Sequence, residues 1–244
     1  MSDVCIRTDN LNKFYGTQQV LKDVSFEVPR SAVYGLLGPS GCGKTTTVKI
    51  IAGILDASSG EAYVLDGKMP SLPLMSRIGY MAQSDALYTD LSARENMEFF
   101  GALYGITGKA FEERFDEVMA LVNLSDDKNK VVGAYSGGMK RRLSLAMAIL
   151  HKPMVLILDE PTVGIDPLLR KSIWDEFFRM TARGVTILVT THVMDEAEKC
   201  THLSMMRDGH LIAVGSPSEI QKKAGAGSLE EAFLYFGGGD GYEG

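Results

Sequence analysis

The stretch Gly38-Pro39-Ser40-Gly41-Cys42-Gly43-Lys44-Thr45-Thr46 constrains the fold more than any other part of the chain. It has the pattern G-x-x-x-x-G-K-[ST] of a phosphate-binding loop, which needs a buried strand before it and a helix after it. Both are present. Residues 32–37 are an apolar run of strand length, and residues 46–54 read as a helix. Glycines let such a loop curl until successive N–H groups converge on an anion, and the helix N-terminus adds partial positive charge at that point. Lys44 then reaches the phosphates, and the Thr45 hydroxyl is placed for Mg²⁺.

Composition narrows what surrounds the loop. The chain has 244 residues, 45% hydrophobic and 23% charged, which suits one large or two small globular domains. A net charge of −6 leaves no basic footprint and disfavours a primary nucleic-acid role. Cys5, Cys42 and Cys200 stand far apart, as in a reducing compartment, with no metal-ligand spacing. No run approaches the roughly 18 apolar residues of a membrane-spanning helix, and the first residues lack a signal-peptide core. Work at a membrane would therefore require another chain to span it.

Along the chain, residues 3–9 and 23–29 read as strands, with Lys13-Phe14-Tyr15-Gly16 between them. Tyr15 admits two readings, an ordinary turn aromatic or a ring that stacks on a flat base. Residues 61–65 and 78–83 are further strands, the second ending at Gln83. Ser92 and Glu95 form a capping box that opens a helical region. There Met97, Phe99, Phe100, Leu103, Tyr104, Phe111, Phe115, Val118, Met119 and Val122 read as core. A helix from Ser136 ends before Pro153. Residues 154–158 suit a strand buried on both faces. A helix over 167–183 turns Leu168, Leu169, Ile173, Trp174 and Phe177 inward, and residues 185–190 are the next strand. Asp208-Gly209 between 203–207 and 210–214 marks a hairpin. Capping boxes at Ser216 and Ser228 open two last helices, and residues 237–244 read as a flexible glycine-rich tail.

Two more elements carry chemistry. Asp159, at the end of the buried apolar run, can hold Mg²⁺ directly or through water, and Glu160 can project toward a γ-phosphate and polarise water. Tyr135-Ser136-Gly137-Gly138-Met139 opens a helix with free N–H groups, a second anion site.

In this order the motifs resemble those of the nucleotide-binding subunit of ABC transporters, over about residues 3–236. The resemblance implies an α/β P-loop NTPase fold with a mainly parallel core sheet, an N-terminal antiparallel β-subdomain and an inserted α-helical subdomain. It implies one domain over 1–236, with a RecA-like core at about 1–83 and 153–224 and the helical part at about 84–152. Tyr15 then matches the adenine-stacking aromatic and residues 38–46 the Walker A loop. Gln83 matches the glutamine that touches Mg²⁺ and water and senses the membrane subunit. Ser136, Gly137 and Gly138 match the signature, Asp159 and Glu160 Walker B and its catalytic glutamate, Asp166 the D-loop and His192 the switch histidine. ATP and Mg²⁺ are the implied cofactors. The implied partners are a membrane-spanning subunit and a second ATP-binding subunit whose signature faces this loop, at the cytoplasmic side of the cell membrane.

Met139 stands where glutamine is commoner and cannot donate a side-chain hydrogen bond. Met139-Lys140-Arg141-Arg142-Leu143 resembles the branch that serves ABC-2-type membrane subunits, and its basic cluster reads as a solvated helix face. That branch, and an end soon after the hairpin, favour export. A soluble ABC ATPase of ribosomes or DNA, or an importer ATPase, is the alternative. Cys42, near a helix N-terminus, is expected to have a lowered pKa and to react with thiol reagents.

Overall fold

The chain builds two kinds of sheet because it carries two kinds of strand. The computed structural model describes residues 3–84 and 86–238. Strands β1 (Val4–Tyr15) and β2 (Gln18–Pro29) alternate buried and exposed positions, as strands with one covered face do. They pair antiparallel, from Val4 opposite Pro29 to Tyr15 opposite Gln18. Both are longer than their alternation suggests. Register shifts between Thr8 and Phe14 break the period of two, and the strand continues through Lys13, Phe14 and Tyr15. Asn12 secures this irregular part by donating to Asp23 Oδ1 (2.8 Å) and accepting from the Asp23 N–H (3.1 Å).

Next come β3 (Val33–Leu37), helix α1 (Lys44–Ile51), β4 (Ser59–Val64), β5 (Gly67–Lys68), the short α2 (Leu72–Met75) and β6 (Ile78–Met81). A helical stretch follows: α3 (Ala93–Leu103), α4 (Gly108–Leu121) and α5 (Gly137–Ile149). The chain then returns to sheet with β7 (Val155–Asp159), α6 (Pro167–Ala182), β8 (Thr186–Thr191), α7 (Met194–Ala197), β9 (His202–Arg207) and β10 (His210–Gly215). Helices α8 (Pro217–Ala224) and α9 (Leu229–Phe236) complete the described chain.

One sheet is antiparallel, in the order β2-β1-β4-β5; the other runs β10-β9-β3-β8-β7-β6 and is parallel except for the β9–β10 hairpin. The fold is α/β, with an antiparallel sheet and a mainly parallel one, as the family resemblance implies. Strands β3, β7 and β8 are buried at every residue. Along β7 alternate side chains enter different cores: Leu156 and Leu158 join α3 to α6, while Val155 and Ile157 join α1 and the antiparallel sheet. That is why the run carries no polar alternation.

Local signals hold at several places. Ser92 and Glu95 make the reciprocal capping box, as do Ser216 and Glu219. Asp208 (φ 51°) and Gly209 (φ 84°) both have the left-handed backbone of a tight hairpin turn. Ser228 caps α9, but Glu231 accepts from the Gly227 N–H rather than closing a box. The expected tail begins held: Arg207 donates to the Gly237 carbonyl at 2.6 Å. Residues 239–244 lie outside the described residues.

The expected apolar core needs correction at four positions. Phe99, Leu103 and Tyr104 are 45, 67 and 41% exposed, and Leu168 is 84% exposed. Helix α3 instead buries Ala93, Asn96, Met97 and Gly101. Asn96 takes an inward place because it saturates local backbone, accepting from the Tyr88 N–H and donating to the Tyr88 and Ser92 carbonyls. Counting apolar residues alone turns that helix the wrong way.

Candidate functional site

The phosphate loop leaves the buried end of β3 at Gly38, whose N–H donates to the Thr191 carbonyl (3.2 Å) at the end of β8. A Cβ on Gly38 would lie 2.2 Å from the Met206 carbonyl oxygen, so only glycine fits. Gly43, at the helix start, has φ 109°. Pro39, Ser40 and Gly41 are exposed, and Thr45 and Thr46 are half-buried in the first turn of α1. The Lys44 side chain is only 5% exposed and curls back over the loop. Its ammonium donates to the Gly38 (2.7 Å) and Pro39 (2.9 Å) carbonyls.

One distant segment, carrying Glu160, meets this ammonium, and a second, carrying His192, meets Glu160. Glu160 Oε1 lies 3.9 Å from Lys44 Nζ and 3.2 Å from His192 Nδ1. Glu160 reaches that position through a left-handed backbone, φ 52°, which costs a residue with a Cβ on the order of 1 kcal/mol or more. Its N–H is held by the Thr190 hydroxyl at 3.0 Å. The same hydroxyl donates to Asp159 Oδ1 at 2.5 Å. Asp159 is fully buried, and its other oxygen, Oδ2, has no hydrogen-bond partner. A buried carboxylate oxygen in that state is the atom a bound cation would satisfy.

The other expected residues lie around this centre. Gln83 is exposed, and its carbonyl is held by Arg141. Tyr15 is half exposed at the end of β1, with Lys13 5.4 Å from its ring centre. Ser136 caps α5 by accepting from the Met139 N–H. Gly138 sits so close to Gly164 that a Cβ would come within 3.1 Å of the Gly164 carbonyl. Asp166 caps α6 by accepting from the Leu169 N–H at 3.0 Å. Among the described residues, no hydrogen bond or ion pair joins Tyr15, Ser136, Gly137, Gly138 or Asp166 to the phosphate loop.

Two sequence readings are overturned. Cys42 is 4% exposed, and burial pushes its thiol above its ordinary pKa, against a smaller opposing pull from Lys44. The favourable helix terminus does not win because the sulfur faces protein rather than water. The basic cluster after the signature is not a solvated face either. Arg141 is 7% exposed and donates to backbone carbonyls, and Arg142 donates to the Val122 and Asn123 carbonyls. Sequence reasoning also missed Thr190, and it missed Glu196. That carboxylate is 4% exposed and accepts from the Thr191 (2.7 Å) and Thr162 hydroxyls.

Strand, loop and helix around residues 38–46, with a strand-end carboxylate beside them, define a phosphate-loop nucleotide-binding protein. Residues 21–163 match the family described as "ABC transporter", and the chain belongs to that family. It is 37% identical over 239 residues to the probable multidrug ABC transporter ATP-binding protein YbhF of Escherichia coli, covering 95% of this chain but 41% of YbhF. It spans about two fifths of that relative's length. It is 36% identical over 242 residues to the linearmycin resistance ATP-binding protein LnrL of Bacillus subtilis, covering 94% of this chain and 77% of LnrL. A solved ATP-binding subunit of an ABC transporter superposes with TM-score 0.88 at 27% identity, covering 96% of this chain and 99% of that one.

Proposed function

We propose that this chain binds ATP with Mg²⁺, hydrolyses it, and drives export through a separate membrane-spanning subunit. One observation carries the hydrolytic reading: the Glu160 carboxylate lies between the Lys44 ammonium and the His192 imidazole at the mouth of the phosphate loop. Lys44 and the loop N–H groups bind the phosphates. Glu160 accepts a proton from the attacking water, and His192 holds Glu160 and the water in line. Tyr15 offers its exposed ring to the base.

The residues fit Mg²⁺. Asp159 Oδ2 is buried without a partner, and the Thr45 hydroxyl and the Gln83 amide would complete the protein's share of the ligands. Among the described residues there is no group of three or more His, Cys, Asp or Glu placed for a metal. That suits an ion held by one carboxylate and by phosphates. Bound Mg²⁺ supplies charge neutralisation on the phosphate oxygens.

Ser136, Gly137 and Gly138 open α5 with Ser136 at its cap and, among the described residues, make no hydrogen bond to this chain's own loop, and the family pattern supports a second subunit whose signature closes the site, together with Asp166. A membrane partner is supported by an open groove of about 330 Å³ beside the Gln83 segment, lined in part by Ile54, Tyr80, Phe100, Tyr104, Met147 and His151. No described helix is long and apolar enough to cross a membrane itself. The names of the relatives YbhF and LnrL, with the Met139-Lys140-Arg141-Arg142 continuation, support an ABC-2-type partner and export, at the inner face of the membrane.

Glu160→Gln tests the reading. ATP binding persists, while turnover falls by about 10²–10⁴-fold, the usual contribution of a general base. Wild-type turnover in that variant would remove Glu160 from its role. Purification of the complex from membranes identifies the spanning subunit, and its absence from ribosomes excludes the soluble alternative.

A further inference from the structure

Strands β6 and β7 run parallel, and their ladder ends with Met81 opposite Leu158. Beyond it the pairing stops, one backbone continuing into Ala82-Gln83 and the other through Asp159 into the Glu160 turn. The carbonyls past the ladder's end need donors from elsewhere. One side chain supplies four of them. Arg141 Nη1 donates to the Ala82 (2.6 Å) and Gln83 (2.9 Å) carbonyls. Arg141 Nη2 donates to the Asp159 and Glu160 carbonyls, the latter at 2.7 Å. Arg141 lies one turn into α5, the helix that Ser136, Gly137 and Gly138 open.

We infer that Arg141 is a positioning residue for hydrolysis, clamping the Gln83 segment and the Glu160 turn to the signature helix as one unit. The role rests on the ATPase reading above. Glu160 holds a left-handed φ of 52°, with its N–H fixed by Thr190 and its C=O fixed by Arg141. Removing the second restraint lets that peptide rotate and carries the carboxylate away from Lys44 and His192. Because the same guanidinium holds the Gln83 carbonyl, a movement of α5 reaches Gln83 and Glu160 together. The role requires a planar fork: Lys presents its donors from a single nitrogen and cannot reach all four carbonyls that the two Arg141 nitrogens hold.

The test compares Arg141→Gln and Arg141→Lys with Arg114→Gln on the full chain. Arg114 is a matched control, since its guanidinium also donates to backbone carbonyls, those of Ile149 and Leu150, at the far end of α5. Both Arg141 variants are expected to lose about tenfold or more in kcat while KM for ATP stays within about twofold, because the phosphate loop is untouched. Arg114→Gln is expected to lower Tm and leave kcat unchanged. In a double-mutant cycle, Arg141→Lys and Gln83→Ala are expected to be non-additive in kcat. If Arg141→Gln does not fold, Arg141→Lys, which keeps the charge, gives the reading. Wild-type kcat in the Lys variant overturns the clamp. So does a kcat loss that Arg114→Gln reproduces at equal loss of Tm, or additivity with Gln83→Ala. Absence of ATPase activity in the wild-type chain with its partners, or normal turnover in Glu160→Gln, would instead sink the ATPase reading, so the two failures are distinguishable.

Discussion

Thr190→Val isolates the hydrogen bond that holds the Asp159 carboxylate. The Thr190 hydroxyl is fully buried, donates to Asp159 Oδ1 at 2.5 Å and accepts from the Glu160 N–H at 3.0 Å. Valine has nearly the same volume, so no cavity forms. What is lost is a charge-assisted bond, worth about 1.5–3 kcal/mol. The Glu160 N–H keeps a partner in the Thr190 carbonyl at 3.2 Å. Asp159 does not, because its other oxygen is already unsatisfied. The extra methyl contact returns only part of the loss, leaving a net destabilisation of about 2 kcal/mol. For a chain of this size that lowers Tm by about 4–8 °C. Urea unfolding gives the free energy directly, and Asp159→Asn alone and combined with Thr190→Val completes a cycle. A coupling of about 1–2 kcal/mol is expected between the two sites. Stability of Thr190→Val within about 0.5 kcal/mol of wild type, or additivity in the cycle, would refute the reasoning.

Thiol reactivity and acid sensitivity give two further tests. Cys42 is buried and its thiol pKa is raised, so at pH 7 in the folded chain it is expected to react with a maleimide far more slowly than an exposed peptide thiol; labelling at the peptide rate would contradict the burial. His151 stacks on Tyr104 with ring centres 3.8 Å apart and bonds the Ile78 carbonyl through Nε2, while its Nδ1 is buried without a partner. Burial holds its imidazole below the ordinary value of 6.5, so the folded chain binds fewer protons there than the unfolded one. Its contribution is therefore full above the unfolded pKa and is lost as pH falls below about 6.5. Urea unfolding of wild type and His151→Gln between pH 7.5 and 5 is expected to show a steeper acid loss in wild type; parallel curves would exclude the effect.

Local features were readable from the sequence because their partners lie within a few residues. The phosphate loop, the capping boxes at Ser92 and Ser216 and the Asp208-Gly209 hairpin are of this kind. Asp159 and Glu160 were readable because a polar pair ends a run that is otherwise wholly apolar. Arg141 was not. Its acceptors are backbone carbonyls 59, 58, 18 and 19 residues away, and a carbonyl has no side-chain identity to read. Glu196 was hidden in the same way, since nothing local tells a buried acid held by two threonines from an acid on the surface. The length of β1 was masked by its bulges, and the inward face of α3 by Asn96.

The burial of β7 on both faces has a consequence for how the chain finds its pairing. In a strand with one wet face, a slip of one residue against its neighbour drives polar groups inward, so polarity selects the register. Val155, Leu156, Ile157 and Leu158 are apolar on either side, and against β8 a slip along this run would cost little by that measure. A charged group discriminates at the strand's last position, where Asp159 stands opposite Thr190 and receives its hydroxyl. Shifted by one, the carboxylate would face Val189 or Thr191, and the Thr190 hydroxyl would lose it. The pair that holds Glu160 in place thus also acts as the alignment mark for the centre of the sheet.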